Sequence, residues 1–378
     1  IILSSIYIHI PYCKQKCSYC SFYYRISQKD KKEMINSLKK EIELRKHYLN
    51  NNTIETIYFG GGTPSILTES EISLLINTIT ENYTVINNAE ISLECNPDDL
   101  TREKVQNLKK AGINRLSIGI QSFNDEDLKF MNRSHNSSQA IESVQLAKEI
   151  GFNNISIDLM YSLPKQSLEK WKKNLDIAFS LEIQHISAYS LTIEEKTKLK
   201  SLLKKGEFSE LDDIASSEHF DLLMMEAEKN KFIQYEISNF GLNGFFSKHN
   251  SKYWQAGHYL GIGPSAHSYN GETRSWNVNS NTKYIQDISE NKIECEEEIL
   301  SNFQKYNDYI MTSLRTISGV NLNYIKQEYG ENYLIYFNNE LHKWIKSEHV
   351  FIEKEIVYLS KKGKYISDNI CSDLFKVD

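Results

Sequence analysis

Three cysteines, Cys13, Cys17 and Cys20, stand in the stretch YIHIPYCKQKCSYCSFYY, three and then two residues apart. Thiolates so placed can hold a metal, and two chemistries compete. A structural zinc site would need a fourth ligand, with His9 the nearest imidazole, but zinc ligands usually come as Cys-x2-Cys pairs from two parts of a chain. A 4Fe-4S cluster takes one thiolate per iron. Three cysteines then leave one iron open to chelate a small molecule, and the amine and carboxylate of an amino acid suit that position.

About 40 residues later, YFGGGTPS sets Gly60, Gly61 and Gly62 before Thr63. Missing side chains let backbone approach a ligand closely; read alone, the same letters are a tight strand-to-helix turn. Four polar residues end or follow strand-like runs: Glu94 in LECNPDD, Gln121 in GIQSFN, Arg133 in MNRSH and Asp158 in IDLMYSLP. Singly, each is more often a surface or ion-pair residue.

The elements that must position these residues are legible as alternating strands and helices. Strand-like runs fall at Ile6 to Ile10, Thr56 to Phe59, Glu90 to Cys95, Arg115 to Ile120, Ile155 to Leu159 and His185 to Ser190. Between them lie amphipathic stretches such as Lys29 to Leu49, with Met34, Leu38 and Ile42 on one face. That order predicts βα units and a parallel sheet. Each strand also alternates: Ile6, Ile8 and Ile10 oppose Tyr7 and His9, Leu93 opposes Glu94, and Ile157 opposes Ser156 and Asp158. If the apolar face meets the helices, the polar face lines a lumen, which predicts an α/β fold with a partial (β/α)6 barrel of TIM type, its interior kept for chemistry.

Glu195 to Lys231 reads as helix, and Tyr235 to Trp276 is rich in glycine, aromatics and histidine. From about Glu297 the chain mixes helices with a strand pair, Phe351 to Glu353 and Ile356 to Leu359, followed by SKKGKY; this predicts an α+β accessory domain, winged-helix-like. The expected division is a barrel over 1–232, a connecting region over 233–296 and the accessory domain over 297–378.

With a formal charge of −6 and a pI near 6.0, the chain has no net attraction to nucleic acid or anionic membranes. No apolar run reaches membrane-spanning length, so a cytoplasmic location is the expectation, with peripheral association left open. Six cysteines in 378 residues are too few for a disulfide scaffold.

The Cys-x3-Cys-x2-Cys loop after a first strand resembles the signature of radical S-adenosylmethionine enzymes, and the GGGTP loop after the second strand strengthens it. In that family the methionine end of the cofactor is the missing cluster ligand, and electron transfer from the reduced cluster yields a 5'-deoxyadenosyl radical. From Tyr7 to about Tyr269 the polar strand ends reproduce the order seen in the oxygen-independent coproporphyrinogen III oxidase family. The resemblance implies that Cys13, Cys17 and Cys20 hold the cluster and that Tyr7, Gly60, Gly61, Glu94 and His267 contact the cluster-bound S-adenosylmethionine. It also implies that Tyr19, Gly62, Thr63, Gln121, Arg133, Asp158 and Thr192 match positions for a second S-adenosylmethionine. Arg133 could pair with a carboxylate there, and Asp158 with an ammonium group or ribose hydroxyls.

That family holds a decarboxylating dehydrogenase and a haem-chaperone branch. The dehydrogenase has another cysteine two residues after its last ligand, where this chain continues Ser21-Phe22. It also has a long extension ahead of the cluster, whereas Tyr7 already sits in the first strand. HNSKYW, His249 to Trp254, resembles the chaperones' H-N-x-x-Y-W motif. Together these imply a haem chaperone serving haem-accepting proteins, as monomer or homodimer, with no catalytic residue assigned. His249 is the candidate haem contact, since histidine is a common haem ligand; the alternative is a hydrogen-bonded loop histidine beside packed Tyr253 and Trp254.

Overall fold

The computed structural model describes residues 3–377. Six parallel strands run in chain order through one sheet: β1 (Ser4–Ile10), β2 (Thr53–Gly61), β3 (Thr84–Cys95), β4 (Arg115–Gln121), β5 (Ile155–Tyr161) and β6 (His185–Ser190). All six predicted strands are present; β3 begins six residues before the predicted Glu90, β2 runs beyond its predicted span at both ends, and the others agree within two residues. Helices α1 (Lys31–Leu44), α2 (Glu69–Asn82), α3 (Arg102–Lys110), α4 (Asp125–Phe130), α5 (Ser137–Glu149) and α6 (Leu168–Ser180) make the crossovers. Ile6, Ile8 and Ile10 of β1 are fully buried in one apolar cluster with Met34, Leu38 and Ile42 of α1. Each such side chain contributes about 2 kcal/mol by leaving water.

The polar faces are buried too, with Ser92, Ser117, Ser156 and Ser187 each almost inaccessible. They therefore line an interior, as the alternation predicts.

Two helical expectations need correction. Glu195 to Lys231 is not one helix: α7 (Lys198–Lys204) stops at Gly206, whose φ is +70°, and α8 (Asp213–Lys229) restarts behind its own cap, Asp212. Helix α1 ends at Leu44, five residues short of Leu49, where the Arg45 guanidinium turns in to Glu41 and the Gly261 carbonyl.

Residues 233–299 extend the sheet at both sides. Strand β8 (Asn239–Gly241) adds antiparallel to β6, and β7 (Ile233–Glu236) pairs antiparallel with β8 at the edge. The chain then crosses through α9 (Lys248–Trp254) to β9 (Tyr259–Ile262), which lies parallel to β1 and pairs Ser5 with Tyr259. Strands β10 (His267–Tyr269), β11 (Thr273–Asn277) and β12 (Cys295–Ile299) complete a twelve-stranded sheet. A second apolar core, built by Tyr306, Ile310, Phe337, Leu341, Val357 and Ile370, belongs to the C-terminal α+β unit. There, a three-stranded antiparallel sheet packs with α11 (Asn302–Leu314), whereas α10 (Asn281–Ser289) packs on α1 and buries Tyr284 and Ile288 in the first core.

Candidate functional site

The cysteine loop leaves β1 at Ile10 and is tied shut at its base: the Cys13 N–H donates to the Arg25 carbonyl (3.0 Å) and the Arg25 N–H to that of Pro11 (2.8 Å). The glycine loop is stitched alongside it. Gly62 N–H donates to the Ile10 carbonyl (2.8 Å), Thr63 N–H to that of Tyr12 (2.7 Å), and the Thr63 hydroxyl to Cys13 Sγ (3.4 Å). A Cβ on Gly62 would collide with the carbonyl oxygens of Tyr12 and Ile10. Glycine there lets the two loops touch.

All three cysteines are unpaired and partly exposed. Burial pushes the Cys13 thiol up to about 12 and raises that of Cys20 as well. Cluster assembly therefore has to displace protons. His9 is not available as a fourth ligand: Nε2–H donates to the Tyr23 carbonyl (3.0 Å) and Nδ1 accepts from the Tyr7 hydroxyl (3.1 Å). Among the described residues, no three Cys, His, Asp or Glu side chains group as for a single metal ion. A donor set of three thiols on one loop fits a cluster better than zinc.

Arg133 clamps this loop to the sheet. One guanidinium nitrogen lies 3.3 Å from Cys17 Sγ and 3.4 Å from the Tyr19 hydroxyl; the other donates to Asn96 (2.8 Å) and the Gly119 carbonyl (2.7 Å). Its Nε is buried without a partner, leaving one donor unspent.

Beside the loop, Tyr7, Tyr58, Gly60, Gly61 and Glu94 form a cradle. Glu94 accepts the Tyr58 hydroxyl through one oxygen (2.9 Å) and the Gly61 N–H through the other (3.2 Å). A Cβ on Gly60 would meet the Tyr7 and Tyr58 rings and Glu94, and Gly61, at φ +104°, faces the His9 ring. Burial, then the charge of Asp158, pushes the Glu94 carboxyl up to about 7. It stands in a walled recess where a cationic ligand would restore its charge. Such a recess fits an ammonium-bearing cofactor.

Further along the lumen, Asp158 accepts from the Ser117 hydroxyl (3.3 Å), and burial pushes it up to about 6. Gln121 ends β4 with φ +66° and Ser162 follows β5 with φ +58°; both are buried. Left-handed backbone at two adjacent strand ends stores strain on this rim. Thr192 lies on an exposed loop after β6, and His267 is exposed on β10 with its ring stacked on Trp276, so these two are not brought to the cradle by any contact described.

His249 lies under the cradle, on the first turn of α9. It is 1% exposed; Nδ1 is 2.7 Å from the Thr56 hydroxyl and Nε2 3.1 Å from that of Tyr253. Glu90 accepts the N–H groups of Lys248 and His249, both at 3.1 Å. Both ring nitrogens are therefore hydrogen-bonded, as in the alternative that the sequence left open beside haem contact. On the opposite side of α9, Trp254 borders a cleft of about 450 Å³ shared with Phe246, Tyr235, Tyr309 and Tyr324.

Tyr58, Thr56 and Asn96 are the site residues that sequence reading passed over. The signal was present for two of them, because Thr56 and Tyr58 alternate with Ile57 and Phe59 as Tyr7 and His9 do with Ile8.

Residues 7–178 match the model of the radical SAM superfamily. A Bacillus subtilis (strain 168) protein described as "Heme chaperone HemW" is 36% identical over 87% of this chain and 88% of its own length. The chain belongs to the HemW family of radical SAM proteins. A Lactococcus lactis HemW is 31% identical over 97% of this chain and 96% of its own. The solved structure of the Escherichia coli coproporphyrinogen III oxidase HemN, a radical SAM enzyme, superposes with a TM-score of 0.85 over 99% of this chain and 90% of that one at 22% identity, which establishes the shared fold. Membership of the radical SAM superfamily implies a 4Fe-4S cluster and S-adenosylmethionine. Among the described residues, no helix is long and apolar enough to cross a membrane.

Proposed function

We propose that this chain is a haem chaperone, which takes up haem and delivers it to acceptor proteins. The observation that carries this reading is the match to HemW relatives across nearly the whole length of both chains. Ser21-Phe22 after the last cluster cysteine and the HNSKYW motif support it from within the sequence.

In this reading Cys13, Cys17 and Cys20 hold the cluster, while Gly60 to Thr63 and Glu94 seat S-adenosylmethionine, with Tyr7 closing one side. A reduced 4Fe-4S cluster supplies single electrons when bound. The residues of the chain fix its surroundings: Thr63 and Arg133 donate to Cys13 and Cys17, and Glu94 offers a carboxylate where an ammonium group would sit. Haem, a flat apolar macrocycle, suits the aromatic cleft beside Trp254. A location in the cytoplasm accords with this role.

The test is to incubate anaerobically reconstituted protein with reductant, S-adenosylmethionine and coproporphyrinogen III, and separately with haem. Haem binding with a defined Soret band and no protoporphyrinogen is expected, and Trp254→Ala should weaken the haem complex. Formation of protoporphyrinogen would replace the chaperone with a dehydrogenase.

A further inference from the structure

The hydrogen bonds around His249 fix its tautomer. Thr56 donates its hydroxyl to Ser5 (2.9 Å), so the 2.7 Å contact between Thr56 and Nδ1 needs the imidazole N–H as donor. Nε2 is then the acceptor for the Tyr253 hydroxyl. The neutral ring is held at both nitrogens, at its backbone by Glu90, and on its face by Tyr58, with ring centroids 4.8 Å apart and planes 23° from parallel.

Tyr58 is the next link. Its ring lies between His249 and Gly60, with Tyr7 alongside at 6.2 Å, and its hydroxyl holds Glu94, whose other oxygen holds the Gly61 N–H. An unbroken run of contacts therefore joins α9 to the glycine loop. Removing the imidazole would open a void under Tyr58 and free its ring to drop, because interiors close around lost volume only in part.

We propose that His249 is a positioning residue for the S-adenosylmethionine cradle: it sets the height of Tyr58 and, through Tyr58, the direction of the Glu94 carboxylate. The inference rests on reading Glu94 and Gly61 as cofactor contacts. It gives the HNSKYW motif a role inside the barrel that is separate from any contact with haem.

The experiment measures S-adenosylmethionine affinity by equilibrium dialysis on the anaerobically reconstituted, haem-free full chain, with iron content and thermal midpoint as controls. Glu94→Gln tests the underlying reading and should bind at least about tenfold more weakly. His249→Ala should weaken binding by about tenfold at unchanged iron content, and His249→Phe, which keeps a ring against Tyr58, should recover part of that loss. In a Tyr58→Phe background, where the link to Glu94 is cut, His249→Ala should add less than about twofold, the non-additivity of residues acting in series. If His249→Ala loses its cluster, Thr56→Val and His249→Phe carry the measurement, each expected to weaken binding. Wild-type affinity in the His249 variants beside a weak Glu94→Gln overturns the positioning role alone; wild-type affinity in Glu94→Gln removes the cradle reading and this inference with it.

Discussion

Tyr58 donates its hydroxyl to one oxygen of Glu94 at 2.9 Å, which leaves the other oxygen for the Gly61 N–H. Both partners favour the ionised carboxylate, yet burial outweighs them and holds Glu94 near 7. Affinity for a ligand carrying an ammonium group should therefore rise between pH 6 and 8 as the carboxylate ionises. Calorimetric titration with S-adenosylmethionine across that range should show the rise in wild type and a flat profile in Glu94→Gln.

Stability should respond to pH in two opposed ways. Burial lowers His9 and His135 to about 4 and His249 to about 3, so the unfolded chain, with imidazoles near their ordinary 6.5, binds more protons below that value. Acidification through 6.5 therefore removes stability. Glu94, raised in the folded state, works the other way: between about 4.5 and 7 the folded chain binds its proton more readily, and protonation favours folding. Urea midpoints between pH 6.5 and 4.5 should fall, and fall more steeply in Glu94→Gln.

Gly62→Ala should separate the two loops. The added methyl meets backbone oxygens of Tyr12 and Ile10, which cannot swing aside as a side-chain end could. A cost of about 2 kcal/mol or more is expected from forcing them apart, with loss of iron on reconstitution. Iron content and the visible absorption of the reconstituted protein check this, alongside Cys17→Ala, which should lose the broad 4Fe-4S absorption.

A fragment ending at 232 should not be a well-behaved barrel. It would strip β8 from β6 and β9 from β1, exposing two sheet edges at once. Light scattering and hydrogen exchange on that fragment should report more association and lower protection in β1 and β6 than the same measurements on the full chain.

The six parallel strands can be read from the sequence because each repeats a period of two, as Ile6, Ile8 and Ile10 do around Tyr7 and His9, and that period survives burial on both faces. The cysteine and glycine loops are legible for a different reason, since their chemistry depends on residues close in sequence. Tyr58 and Thr56 carry the same alternating signal but no chemical letter that singles them out. The strands after 232 that join the main sheet are short, three to five residues, and take their conformation from the edges they join; nothing local distinguishes Asn239–Gly241 from a loop. His249 meets Thr56 and Tyr58 only through the tertiary fold, so its double hydrogen bonding has no sequence signature.

The pairing of Ser5 with Tyr259 also sets an order of events during synthesis. Strand β1 carries the cysteine loop and emerges first, but its second neighbour is translated only after every other parallel strand is complete. A nascent chain thus holds one edge of the strand that leads into its cysteine loop open for most of its elongation, the long-range closure that slows folding and invites misassembly. Iron loading before β9 arrives would act on a strand still free to pair elsewhere.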